Sequence, residues 1–251
     1  MATTKKMKGI LANAPVKLVV AQVRFERHAE VAEAGFVTRL AKQVGDEFSV
    51  IEQANVRQIT ASPAGMVTVA DSAEGGWSLS SDDAKIVVLE SSVALEVTRY
   101  LDWSNFRAQL ERLLGAVEEL VQPATEQRVG LRYIDELDSI EGVEASWNGF
   151  VRDELLGPIL HPDIGSEITT IEQRVIFSFD GDATCLLRHG YSTAPPLNSH
   201  YIIDTDLFRE VKGAYDGSSV RKVYESFHAK ADQVFIGCLT SEYFEKLRVG
   251  K

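Results

Sequence analysis

One succession of patterns occurs twice along this chain. Residues 15–122 and 127–238 each read as a strand, an amphipathic helix, several short strands and a second amphipathic helix. Strands repeat their buried positions every two residues and helices every 3.6, so this order narrows the fold sharply. In the first stretch, Pro15 to Phe25 is rich in valine and alternates apolar with polar in its later part. Ala34, Val37, Leu40, Ala41 and Val44 then form one stripe of a helix spanning residues 29–44, which Gly45 ends. Strands are expected at Ser49–Ala61, Met66–Ala70, Trp77–Ser80, Lys85–Leu89 and Ala94–Tyr100. The strongest helical periodicity runs from Ser104 to Val121, with Ser104 as its cap and Pro123 as its stop.

The second stretch opens with the strand Arg128–Ile134. A short helix over 146–160 is interrupted by Gly157-Pro158. Strands follow at Ile168–Phe179, Ala183–Tyr191 and His200–Asp206, the first two joined by the turn Asp180-Gly181-Asp182. After Asp216-Gly217-Ser218 comes a long helix, and Thr240 caps a short terminal one. The halves share order and not residue identity.

Two such units can join edge to edge, hiding two strand edges in one long sheet. The expected fold is α+β: tandem strand-helix-strands-helix units forming a curved, mainly antiparallel sheet with helices on one face. By analogy this is the saddle of the TATA-binding-protein fold, and the analogy carries no function. Residues 1–14 read as a leader, 15–123 as the first unit and 124–251 as the second, the two units making one compact domain.

Charge sets the partner classes. The formal net charge is −11, from 37 acidic and 26 basic residues. An acidic field opposes a phosphate backbone, so nucleic acid is a disfavoured partner. No stretch approaches the roughly 20 apolar residues that span a bilayer, and the N-terminal lysines precede no apolar signal core. Cys185 and Cys238 sit in apolar surroundings without zinc spacing and read as reduced, buried thiols, with a disulfide between them the alternative that sequence leaves open. The expected location is the cytoplasm.

Candidate chemistry is sparse. Gly130 and Arg132 share one strand face, where a guanidinium could read an anion or pair with Asp135 or Glu136. His200, Asp204 and Asp206 share a face of a second strand. With Asp180 or Asp182 they could approach a metal, although a solvated polar edge is the simpler reading. His28, His189 and His228 stand without a motif partner, and neither a P-loop nor a Gly-x-Ser-x-Gly elbow occurs. Trp103 is placed to staple the first turn of the helix that follows it. No catalytic residue, cofactor or metal is therefore assigned. Arg132, His200, Asp204 and Asp206 are carried forward as a ligand or partner face.

Several segments together resemble an uncharacterised, sporadically distributed bacterial family of similar length. They are Asn13–Val16, Trp77–Leu79, Tyr100–Phe106, Arg128–Asp135, His228–Phe235 and Cys238–Thr240, with Gly130-Leu131-Arg132-Tyr133-Ile134 the most specific. The resemblance implies an accessory gene of mobile-element or defence-type neighbourhoods and brings no catalytic residues. The leading expectation is a non-enzymatic module that binds another protein or a second copy of itself. The alternatives are a small-ligand protein or enzyme using the concave sheet face, and then nucleic-acid binding.

Overall fold

A computed structural model describes residues 11, 14–54, 57–62, 65–71, 75–138, 147–179, 182–192 and 200–249, with backbone alone for 57–62 and 65–71. The first unit comprises β1 (Val16–Phe25), α1 (Ala34–Val44), β2 (Val50–Gln53), β3 (Arg57–Ser62), β4 (Gly65–Asp71), β5 (Gly76–Ser80), β6 (Ala84–Leu89), β7 (Ser92–Val97) and α2 (Trp103–Leu120). The second comprises β8 (Thr125–Asp138), α3 (Asp153–Leu156), β9 (Thr170–Ser178), β10 (Thr184–Ser192), β11 (His200–Arg209), β12 (Gly213–Ala214), α4 (Gly217–Cys238) and α5 (Ser241–Val249).

The fold is the expected α+β arrangement with an open, curved antiparallel sheet. Its strand order is β2-β5-β6-β7-β1-β8-β11-β10-β9, and β12 adds to the end of β8. Read outward from the middle, each half repeats the same layout. The opening strands β1 and β8 lie side by side, with Ala21 opposite Leu131 and Val23 opposite Val129. The closing strands β7 and β11 flank them. The two units thus hide their inner edges against each other. β3 and β4 leave the large sheet as a separate ribbon, and β3 passes near β10 and β11.

The pleat sorts the central strands into two faces. Val19, Ala21, Val23, Val129, Leu131, Ile203 and Leu207 turn toward the helices and are buried. On them sit Phe106, Leu110, Leu113 and Val117 of α2 and Val220, Tyr224, Phe227 and Ala231 of α4. Burial of each large side chain contributes about 1.5–3 kcal/mol. The other face carries a small apolar patch of Leu18 and Ile134, flanked by Val20 and Ile202, and then a polar field.

Local chemistry moved several boundaries. α2 starts at Trp103, because Asp102 and not Ser104 is the cap: its carboxylate accepts the Asn105 N–H at 2.8 Å. The first helix begins as an isolated turn of 3-10 helix at Ala29–Ala32, and Glu33 in extended conformation separates it from α1. The helix expected over 146–160 shrinks to α3, since Gly157 adopts a positive φ of 46° and Pro158 follows. Asp216 caps α4 and Thr240 caps α5 through the Tyr243 N–H. The first two residues of the Asp180-Gly181-Asp182 turn lie outside the described residues.

Candidate functional site

All four nominated residues emerge on the sheet face away from the helices, but they do not form one site. Asp204 is fully buried there. Arg132 grips it with two parallel bonds, Nε to Oδ1 and a terminal nitrogen to Oδ2, each 2.7 Å, and Arg188 adds a third at 2.8 Å. Strand register causes this: Asp204 faces Ile134 on β8 and Arg188 on β10, two residue pairs along from Arg132 opposite Asp206 and so on the same face. The partner of Arg132 is thus Asp204, distant in sequence, in place of Asp135 or Glu136. Asp206 lies 3.4 Å from Arg128, whose guanidinium covers the Phe208 ring at 4.9 Å. Both carboxylates are taken up by arginines, which leaves them unsuited to the metal set considered from sequence. His200 stands apart, 3.1 Å from Asp138 and 3.4 Å from Glu136. Their ligand atoms lie within 4.8 Å of one another, but Asp138 is 74% exposed and the geometry is that of a solvated sheet end.

The helix-covered face holds a different constellation. A cavity of about 400 Å³ opens between the start of α2, the middle of α4 and the strands β8 and β11. Its lining is mostly apolar, including Leu11, Pro15, Leu101, Ala231 and Phe235. Asp135, Thr205, Tyr100, Tyr133, His228 and Asp232 supply the polar groups. Neither lysine nor arginine is among the described lining residues.

Asp135 forms the floor. It is 3% exposed, and no described residue hydrogen-bonds its carboxyl. Burial, and then the charges of Asp232 and Asp204, push its pKa up to about 8. The hydroxyl of Thr205, on the neighbouring strand, is also buried without a hydrogen-bond partner. A hydroxyl so placed is uncommon, because an unmade buried hydrogen bond costs about 1–3 kcal/mol.

One wall is a polar chain along α4. The Tyr133 hydroxyl lies 3.1 Å from His228 Nδ1, and His228 Nε2 lies 3.7 Å from Asp232. Tyr100 packs edge-on against Tyr133, ring centroids 5.8 Å apart. The indole of Trp103 stacks on the imidazole and donates its N–H to Glu225 at 3.1 Å. Burial lowers the His228 pKa against the pull of Asp232 and Glu225, and burial raises that of Asp232 against the pull of His228. A group that holds or releases a proton near neutrality therefore faces an apolar space sized for a small molecule.

The two thiols are not part of this chemistry. Cys185 and Cys238 are buried and unbridged, and burial pushes both up to about 12. No described helix is long and apolar enough to cross a membrane. Searches against protein-family models and curated proteins match this chain to nothing.

Proposed function

We propose that this chain is a small-molecule-binding protein whose ligand has a compact apolar body and occupies the cavity between α2, α4 and the β8–β11 pair. The observation that carries the reading is the pairing of the buried, unpartnered Thr205 hydroxyl with the Asp135 carboxyl, which no described residue hydrogen-bonds, at the floor of a mainly apolar space of about 400 Å³. Ligand sites have this make-up, a few convergent polar groups in an apolar shell. The resemblance noted from sequence supports it. Asn13–Val16, Tyr100–Phe106, Arg128–Asp135 and His228–Phe235 each contribute to the wall of this one cavity.

The test is thermal unfolding of the purified chain with a panel of small aromatic and alicyclic amines, alcohols and carboxylates. At least one class is expected to raise the transition temperature. Ala231→Phe, which fills the cavity from α4, should fold and lose that response.

A second reading, docking of a protein or a second copy, is favoured by the outermost strand β9. Val175 and Ile176 are exposed there on an edge that no other described strand pairs, a surface suited to strand addition. Sedimentation of the native chain against Ile176→Lys separates this reading from a monomeric ligand binder.

A further inference from the structure

Taking the cavity as a ligand site, we infer that its ligand is an organic cation, a protonated amine on an apolar body, whose ammonium sits between Asp135 and Thr205. The charge inventory of the cavity selects this class. Its lining offers the carboxyls of Asp102, Asp135 and Asp232 and the neutral hydroxyls of Tyr100, Tyr133 and Thr205, with the His228 imidazole the one basic side chain among the described lining residues. An anionic ligand would meet no guanidinium or ammonium among the described lining residues. A neutral ligand could meet protonated Asp135 alone, whereas three carboxyls around one space favour a group that carries positive charge.

The register gives the cation a seat. Thr205 pairs with Tyr133 across β8 and β11, and Asp135 pairs with Ile203. Asp135 and Thr205 are therefore diagonal neighbours on the helix-covered face, roughly 7–8 Å apart along the backbone and closer at their side chains. One ammonium can donate to the carboxylate and to the hydroxyl oxygen together, at about 2.7–2.9 Å for the charged contact. It carries three donors and no acceptor, which suits a floor made of oxygens.

Proton linkage separates an amine from a neutral ligand. Facing Asp135 are Asp232, His228 and Cys238 of α4, Tyr133 of β8, Tyr100 and Asp102 ahead of α2, and Asp204 through the sheet. With Asp135 holding its proton up to about pH 8, an amine must displace that proton to bind. Its affinity then rises about tenfold per pH unit from roughly pH 6 to roughly pH 8, before the amine itself deprotonates. Protonation of His228 below that range repels the cation and works in the same direction. A neutral hydrogen-bond acceptor would instead use protonated Asp135 as a donor, and its affinity would fall as pH rises.

The experiment is isothermal titration of the full chain with phenethylamine and cyclohexylamine, each against its matched alcohol, across that pH range and in buffers of different ionisation enthalpy. The expected result is amine binding with proton release and the rising pH slope. Asp135→Asn should lose amine affinity by at least about tenfold and flatten the slope, while Thr205→Val weakens binding and keeps it. Circular dichroism confirms that each variant is folded. Alcohols binding as well as amines, with affinity falling toward alkaline pH, would overturn the cation assignment and leave the cavity as a ligand site. Undiminished amine binding to Asp135→Asn would overturn it too. If neither amine nor alcohol binds at millimolar concentration, both the assignment and the ligand-site reading fall.

Discussion

The imidazole of His228 lies flat on the indole of Trp103, ring centroids 4.4 Å apart and planes inclined by 11°. The contact joins the first turn of α2 to the middle of α4 at the cavity wall. A protonated imidazole against an indole face is a cation–π pair and an efficient quencher of indole emission. Because burial holds His228 below its ordinary value of 6.5, the ring is neutral at pH 7 and charges only on acidification. Tryptophan fluorescence is expected to drop in a titration step whose midpoint lies below 6.5. His228→Gln should abolish the step, and Trp103→Phe should remove it while leaving the emission of Trp77 and Trp147. An unchanged step in His228→Gln would assign it elsewhere.

Asp135 should make stability fall as pH rises. Its folded pKa, about 8, stands above the ordinary aspartate value of 3.8. The folded state therefore binds the proton more tightly than the unfolded state between those values. Its protonated form is tolerated; each step upward in pH through that window costs stability, until ionisation is complete above about 8. Asp135→Asn is expected to gain about 1–3 kcal/mol over the parent at alkaline pH, the scale for a buried group without a partner. The gain should vanish below the ordinary aspartate value. Urea unfolding at several pH values measures both.

These two sites show where sequence reasoning reaches and where it stops. Strand and helix periods placed every element of the large sheet except β12, because burial imposes those periods directly. The repeated order of elements was legible, and the sheet shows why it needs no residue identity: β1 and β8 must only alternate apolar residues to pair along one seam. Asp204 carried a signal too, being in phase with His200 and Asp206, but its partners Arg132 and Arg188 lie 72 and 16 residues away and meet it only through strand register.

The cavity left a fainter trace. Asp135 occupies the buried phase of β8 with Val129, Leu131, Tyr133 and Leu137, which makes it a polar break in an apolar alternation. His228 and Asp232 are four apart beside the apolar stripe of α4. Each break alone has a bland explanation. Only the crossing of α4 over β8 makes them one site, and that crossing is set by tertiary packing within the second unit.

On the opposite face, Asp204→Ala should be among the most damaging single changes. It removes the carboxylate shared by two guanidiniums, Arg132 and Arg188, that are only 16% and 21% exposed. Removing one member of a buried ion pair costs about 3–5 kcal/mol. Asp206→Ala should cost clearly less, since its contact to Arg128 is longer, at 3.4 Å. Combining Asp204→Leu with Arg132→Met and Arg188→Met should recover much of the loss, because an apolar cluster of similar volume needs no desolvated charge. Chemical denaturation of the three variants decides this ranking.

The seam between the units has its own clamp in Glu26. Its carboxylate accepts the backbone N–H groups of Ala124 and Thr125 at 2.6 and 2.8 Å and the Thr125 hydroxyl at 2.7 Å, just after Pro123 and at the start of β8. Partial burial acts to raise its pKa, but these hydrogen bonds outweigh that and hold it at about 2 against an ordinary value of 4.5. The sign is thus opposite to that of Asp135. The contribution is complete above the ordinary value and disappears as pH falls toward 2. Glu26→Gln keeps one acceptor oxygen and loses the charge, so it should lower stability at pH 7 and converge on the parent in acid. Hydrogen exchange adds the location: the Ala124 and Thr125 amides should exchange faster in the variant at neutral pH, with the β8 core strand still protected. A uniform loss of protection along β8 would mean that Glu26 supports the whole seam and not its first residues.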